Sequence, residues 1–149
     1  MATVAELEAR IRVLEDIEAI KRLKAKYWRC VDRKLWSELE DVFGKDATAD
    51  YGPNLQFKGR KAILGFLKDS LGADSTITIH GGHNAEIEIT GKTSARAIWT
   101  LNDIIVMQPN TKRIGWGYYE DEYVKVKGQW RKKSTKITTV LEEWPMIKQ

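Results

Sequence analysis

The chain has 149 residues, 42% hydrophobic and 31% charged, and its 25 basic and 21 acidic side chains leave a net charge of +4. This length suits a single domain over residues 1–149, and the apolar content argues against extensive disorder. The longest strongly apolar run, residues 104–107, is far too short to span a bilayer, and a charge of +4 spread over so many ions does not indicate a nucleic-acid partner.

The first residues and the cysteine content indicate a cytoplasmic protein. Glu6 and Glu8 stand where a signal peptide would carry basic residues and then an apolar run. Cys30 is the single cysteine of the sequence, so an internal disulfide is excluded, which suits a reducing compartment. We expect Cys30 to be a small buried side chain, because no histidine or lysine motif beside it suggests a reactive thiolate.

The first third of the sequence predicts a long amphipathic helix. Thr3 and Glu6 form a capping-box pattern, in which each side chain bonds a free backbone N–H at the helix start. Apolar residues then recur every three or four positions and predict one buried stripe: Leu7, Ile11, Leu14, Ile17, Ile20, Leu23, Tyr27 and Val31.

Two shorter helices are predicted next. The spacing of Leu35, Leu39, Val42 and Phe43 favours a short helix, and a loop rich in turn formers follows at residues 50–54. Ile63, Phe66, Leu67 and Leu71 favour a third helix, which Gly72 closes.

From residue 76 the hydrophobic period changes from 3.6 to 2, which predicts strands. Alternation runs over residues 76–80, 85–89 and 95–101, and residues 114–126 and 129–141 form two more strands joined by a tight turn at Lys127 and Gly128. Alternation is blurred in this last pair. Helices followed by strands predict an α+β fold in which the helices cover one face of an antiparallel sheet.

Two charged residues lie at unusual strand positions. If the register holds, Asp103 shares a side with Ala95, Ala97, Trp99 and Leu101, whereas a bulge would leave it solvated. His80, before two glycines, could approach a ligand closely or be an ordinary surface histidine. His83 completes an H-x-x-H pattern, but on an extended segment the two rings diverge, so we predict no metal site.

The remaining candidates have ordinary structural interpretations as well. Asp32, at a helix break, could be the N-cap of the next helix, and Tyr27 lies on an apolar stripe. Two basic clusters are expected to be solvated faces that bind no nucleic acid: residues 21–26 and residues 131–133.

Taken together, the motifs resemble the SnoaL-like branch of the nuclear transport factor 2-like superfamily, which includes bile-acid 7α-dehydratase, scytalone dehydratase and γ-hexachlorocyclohexane dehydrochlorinase. Similarity to the bile-acid enzymes runs over most of the chain. It rests on four segments: DIEAIKRLKAKYWRCVD (16–32), IHGGH (79–83), LND (101–103) and VKGQW (126–130).

The resemblance implies a cone-shaped α+β barrel, a curved and mostly antiparallel sheet wrapped around N-terminal helices, with a pocket at one end. It implies four catalytic residues, namely His80, Asp32, Tyr27 and Asp103. Tyr51, Trp99, His83 and Thr139 complete the predicted site as substrate-binding residues. Thr139 is a departure, because the bile-acid enzyme has an arginine there, which puts the stabilisation of developing negative charge in doubt.

These residues predict a dehydratase that acts without a cofactor or metal. Neutral His80 would accept a proton from carbon while Asp32 fixes its tautomer. Tyr27, and Asp103 if an apolar pocket keeps it protonated, would donate hydrogen bonds to the substrate. The predicted substrate is a hydrophobic steroid-like or polycyclic compound.

Two alternatives stay open at this point. The same fold serves as the structural small subunit of aromatic-ring dioxygenases, so a non-catalytic binding or scaffold protein is one alternative. An isomerase or cyclase with the same base is the other. By analogy with the dehydratases, the resemblance favours a homotrimer over a homodimer, with no membrane partner.

Overall fold

Three α-helices and six strands make up residues 1–107 and 111–145, the part of the chain that the computed structural model describes. The helices are α1 (Val4–Asp32), α2 (Trp36–Leu39) and α3 (Arg60–Leu71), with one turn of 3₁₀ helix at Glu40–Val42. The strands are β1 (Phe43–Asp50), β2 (Gln56–Lys58), β3 (Ile77–Gly91), β4 (Ser94–Met107), β5 (Thr111–Val126) and β6 (Gln129–Glu143).

The strands form one curved sheet in the order β2-β1-β6-β5-β4-β3. All neighbours are antiparallel except β1 and β6, which run parallel. α1 packs on β3 and β6, and α3 packs on β1 and β2, so the helices occupy the inside of the curve. This arrangement confirms the predicted α+β cone.

The long helix α1 begins as predicted, but its first half is not buried. Thr3 and Glu6 form both bonds of the capping box. Leu7, Ile11 and Leu14 are 45–63% exposed, and the apolar stripe becomes fully buried only at Ile20. The prediction of a continuous buried stripe is therefore wrong, because a 29-residue helix, about 43 Å long, extends past the sheet on which it packs. Among the described helices, none is both long and apolar enough to cross a bilayer.

The segment after α1 differs from the prediction. The short helix ends earlier, with Val42 in the 3₁₀ turn and Phe43 already in β1. β1 and β2 were not predicted, because they bury few large residues: only Phe43, Ala47 and Ala49 of β1 are buried. α3 is confirmed, and Gly72 caps it by donating its N–H to the Lys68 carbonyl.

The later strands match the predicted ones and explain their blurred alternation. Lys127 and Gly128 both have positive φ and form the predicted tight turn between β5 and β6. The register between these strands shifts twice, which leaves Lys133 and Val140 of β6 without an opposing residue. β3 runs through both alternating segments, and its register with β4 shifts twice, after His83 and after Ile89.

Each basic cluster contributes one fully buried lysine, contrary to the expectation of solvated faces. Lys24 and Lys132 flank Asp121, with Nζ to carboxylate distances of 2.6 and 3.3 Å. Tyr123 donates its hydroxyl to the same carboxylate. Burial opposes ionisation of Asp121, but the two ammonium groups outweigh it and lower its pKa to about 2. The centre of the cone is thus a charged cluster within an aromatic core.

Candidate active site

A cavity of about 710 Å³ opens at one end of the cone, between α1, α3, the loop after β1 and the inner face of the sheet. Its apolar walls come mainly from Phe66, Leu67, Ile105 and Ile137. The polar groups that line it include Tyr27, Tyr51, His80, Asp103 and Tyr119. A second depression, about 680 Å³, lies around Glu88 and Ile98 on the exposed face of the sheet, and none of the predicted site residues lines it.

His80 and Asp32 form a hydrogen-bonded pair at this cavity. Asp32 is the last residue of α1, and His80 lies in the edge strand β3. Asp32 Oδ1 lies 2.6 Å from His80 Nδ1, and Asp32 Oδ2 accepts the His80 backbone N–H at 2.9 Å. Burial opposes ionisation of Asp32, but the hydrogen bonds from His80 outweigh it and lower the pKa.

This contact fixes the tautomer of the His80 imidazole. An ionised carboxylate only accepts hydrogen bonds, so in the neutral ring Nδ1 carries the proton and Nε2 has the free lone pair. Within the described ranges, Nε2 of His80 has no hydrogen-bond partner. The pair therefore offers a proton acceptor to the cavity. Asp32 does not cap α2, whose N-cap is Leu35.

Thr78 supports the pair and was not singled out from the sequence. Its side chain is buried, and its hydroxyl donates to Asp32 Oδ1 at 2.9 Å. Thr78 precedes His80 by two residues in β3, so both side chains lie on the same side of the strand. The available signal in the sequence was a threonine two positions before His80, in alternation with it.

Three tyrosines form the floor of the cavity. Tyr27 packs edge-on against Tyr119, with ring centroids 6.4 Å apart, and its hydroxyl neighbours that of Tyr51. Tyr51 Oη is buried without a hydrogen bond of normal geometry to any described residue. Burial raises the pKa of all three hydroxyls, so each stays protonated and can donate a hydrogen bond at neutral pH. Tyr119 was not predicted as a site residue.

Asp103 lies on the inner face beside Trp99 and Leu101, because β4 pairs with β5 in unbroken register. Arg113 of β5 donates from Nη1 to Asp103 Oδ1 at 2.8 Å and from Nε to Glu142 Oε2 at 3.0 Å. Burial raises the pKa of Asp103, and the Arg113 guanidinium limits that rise. Arg113 was not predicted as a site residue, although its alternation with Gly115 and Tyr119 places it on the inner face.

The other predicted substrate-binding residues divide into two groups. Tyr51 and Thr139 line the cavity. The structure does not bring His83 or Trp99 to it. His83 is exposed, because it is three residues from His80 and hence on the opposite side of β3. Trp99 is buried deeper, where its indole N–H donates to the Tyr123 hydroxyl. Among the described residues, no three His, Cys, Asp or Glu side chains come together in a manner that could hold a metal ion.

Comparison with known proteins places the chain among relatives of the same fold. Residues 12–136 match the family model described as the SnoaL-like domain. A proposed scytalone dehydratase from Novosphingobium aromaticivorans is 28% identical, with a TM-score of 0.79 and 87% of each chain covered.

Two further solved structures share the fold at lower identity. Hexachlorocyclohexane dehydrochlorinase LinA-type3 from Novosphingobium barchaimii is 18% identical, with a TM-score of 0.80 over 93% of this chain and 94% of that one. A proposed aromatic ring hydroxylase from Novosphingobium aromaticivorans is 20% identical, with a TM-score of 0.80 over 90% of this chain and 94% of that one.

Proposed function

The chain belongs to the SnoaL-like domain family of the nuclear transport factor 2-like superfamily, and we propose that it is a lyase, specifically a dehydratase that acts on a hydrophobic polycyclic ketone or related carbonyl compound. The observation that carries this proposal is the hydrogen-bonded pair of His80 and Asp32 at a largely apolar cavity. Such a pair is the arrangement expected of a general base that works at neutral pH.

The proposed reaction uses groups already in the cavity. His80 Nε2 takes a proton from the carbon next to the carbonyl, and the C–H electron pair becomes the double bond of an enolate. Asp32 stabilises the imidazolium that forms. The enolate then re-forms the carbonyl and expels the β-hydroxyl, which takes the proton back from His80 and leaves as water. An α,β-unsaturated product and neutral His80 result, so atoms and charge balance without a cofactor.

Tyr27 is the proposed donor to the carbonyl oxygen as negative charge develops there. Its hydroxyl lies at the cavity and stays protonated, because burial raises its pKa. The sequence suggested the same role for Asp103, but we assign it to Tyr27 alone. Burial raises the pKa of Asp103, yet its carboxylate already accepts a hydrogen bond from Arg113 at 2.8 Å, and this guanidinium limits the rise. A donor in a site of low polarity stabilises a developing oxyanion more than it would in water.

The same observations weigh against a scaffold. A scaffold subunit has no need for a cavity lined by polar side chains or for contact between His80 and Asp32, whereas this chain has both. The relative at 28% identity is itself described as a proposed scytalone dehydratase, which supports the same class of reaction. An isomerase would use the same base and differ only in keeping the oxygen of its substrate.

The experiment is a substrate panel with two readouts. Polycyclic β-hydroxy ketones and steroid thioesters are incubated with the protein, and products are followed by absorbance of the conjugated carbonyl and by the mass lost as water. We expect conjugated product from wild type and none above background from His80→Ala, with unchanged circular dichroism. If no substrate loses water in the presence of wild type, the proposal is contradicted. A product of unchanged mass would indicate the isomerase instead.

Assembly and location complete the proposal. A homotrimer in the cytoplasm is what the family resemblance favours. Size-exclusion chromatography with light scattering at micromolar concentration tests the first, with three times the chain mass expected.

A further inference from the structure

A cross-strand row of residues crosses the inner face of the sheet at the cavity. His80 of β3 pairs with Asp103 of β4, Asp103 pairs with Gly115 of β5, and Gly115 pairs with Glu142 of β6. The row thus holds an imidazole, a carboxylate, a gap and a second carboxylate. Arg113, two residues before Gly115 on the same side of β5, fills the gap and bonds both carboxylates.

Gly115 makes room for this arrangement. A Cβ at this position would overlap Asp103 Oδ1 and lie 2.9 and 3.0 Å from Nη1 and Nη2 of Arg113. Real Cβ atoms essentially never come closer than 3.0 Å to another atom, so a residue with a side chain at this position would displace the Asp103 carboxylate or the guanidinium. The missing side chain at Gly115 therefore leaves the space in which the Arg113 guanidinium reaches Asp103.

The two carboxylates on Arg113 differ in how firmly they are placed. The Asp103 side chain is 7% exposed and bonds Nη1, whereas the Glu142 side chain is 45% exposed and bonds Nε alone. The edge of a guanidinium formed by Nε and Nη2 can take a carboxylate with two parallel bonds. Glu142 makes only one of them among the described residues. An exposed ion pair of this kind contributes little and exchanges readily with solvent or ligand.

We propose that Arg113 is a specificity-determining residue that binds a carboxylate of the substrate, and that the Glu142 carboxylate takes the position of that group before the substrate binds. The substrate class is then a hydrophobic carboxylic acid whose ring system fills the apolar part of the cavity. This inference rests on the proposed function for the position of the reacting carbon, but the binding it describes does not depend on turnover. Arg113 of β5 thus places a cation at this cavity, whereas Thr139 of β6 supplies none.

The test uses titration calorimetry with two probes that share one ring system and nearly one shape. Naphthalene-2-carboxylate carries a negative charge, and naphthalene-2-carboxamide is neutral. We expect wild type to bind the carboxylate at least about tenfold more tightly than the amide, as charged hydrogen bonds predict. Arg113→Gln should reduce the ratio of the two dissociation constants to near one. Lys112→Gln is the matched control, because it removes the same charge from the opposite side of β5 and should keep the preference.

Glu142→Gln gives the sharpest result. It removes the competing charge, so the carboxylate should bind about threefold or more tightly than to wild type, while amide affinity stays the same. A merely structural role for Arg113 would not produce this gain, and the exposed position makes misfolding a minor concern. Equal affinity of wild type for both probes, failure to bind the carboxylate at millimolar concentration, or no gain in Glu142→Gln would each overturn the inference. If the protein prefers the carboxylate probe but converts no ketone of the panel, the proposed function is overturned and the present inference is not.

Discussion

Asp32 holds His80 at two points, with one carboxylate oxygen 2.6 Å from the ring Nδ1 and the other accepting the backbone N–H at 2.9 Å. The second bond is available because β3 is the edge of the sheet, and among the described residues its outward N–H groups have no strand partner. The end of α1 therefore fixes the ring and the strand that carries it together. A base preorganised in this way can accept a proton from the substrate without a prior rearrangement of its surroundings.

Thr78→Val should weaken the base without unfolding the protein. Valine keeps the shape of threonine but removes the hydroxyl that donates to Asp32, so the Asp32 pKa should rise and the ring should lose part of its orientation. We expect kcat to fall about tenfold with KM little changed. Thr78→Ser keeps the donor and serves as the control, so equal activity in Thr78→Val and Thr78→Ser would contradict the assigned role.

Gly115→Ala should destabilise the fold through the Arg113–Asp103 pair. The added Cβ overlaps Asp103 and crowds the guanidinium, which predicts a loss of about 1–3 kcal/mol in the free energy of unfolding. Gly65→Ala is the matched control, because a Cβ there meets nothing within 4 Å in α3 and should stabilise by about 0.5–1 kcal/mol. Urea denaturation measures both, and the same sign for the two variants would refute the packing argument.

Asp121→Asn should be the most damaging single change of a charge. It leaves Lys24 and Lys132 fully buried without a counterion, and breaking such a pair costs about 3–5 kcal/mol. Asp46→Asn, on an exposed position of β1, should change the free energy of unfolding by less than about 0.5 kcal/mol. If the two variants unfold at the same urea concentration, the buried cluster does not stabilise the core as described.

Stability should fall steeply at acid pH because of the same aspartate. The pKa of Asp121 is about 2 in the folded chain and about 3.9 when unfolded, so the unfolded state binds more protons between these values. The contribution of Asp121 is therefore fully present above about pH 4 and is lost as the pH falls toward 2. Urea titrations at pH 5 and pH 3 should show a larger loss for wild type than for Asp121→Asn. A loss of equal size in both would count against the lowered pKa.

Periodicity was sufficient to predict the helices and the four long strands, but it left the position of Asp103 open between the inner face and a solvated bulge. In β4 each residue faces a partner without interruption, so alternation in the sequence translates directly into burial. β1 escaped detection because small residues, Ala47 and Ala49, fill its inner positions, and parallel pairing with the distant β6 leaves no local signal.

The charged core was the larger omission. Lys24 lies within the apolar stripe of α1, four residues after Ile20 and three before Tyr27, and Lys132 alternates with the buried Trp130. Their positions were readable, but a lysine is seldom buried unless paired, and its counterion Asp121 is 97 residues from Lys24 in sequence. The contact between Arg113 and Asp103 was hidden for a similar reason, since it depends on the space above Gly115.

The most direct test of the central claim isolates proton abstraction from loss of water. Saturated polycyclic ketones without a β-hydroxyl, such as 1-decalone, cannot eliminate, but a base can still exchange their α-protons for deuterium in D₂O. NMR should show exchange accelerated by wild type, reduced to the buffer rate by His80→Gln, and reduced about 10²–10⁴-fold by Asp32→Asn, with both variants folded. Exchange by His80→Gln at the wild-type rate, or by wild type only at the buffer rate, would contradict the assignment of His80 and Asp32 as the catalytic base.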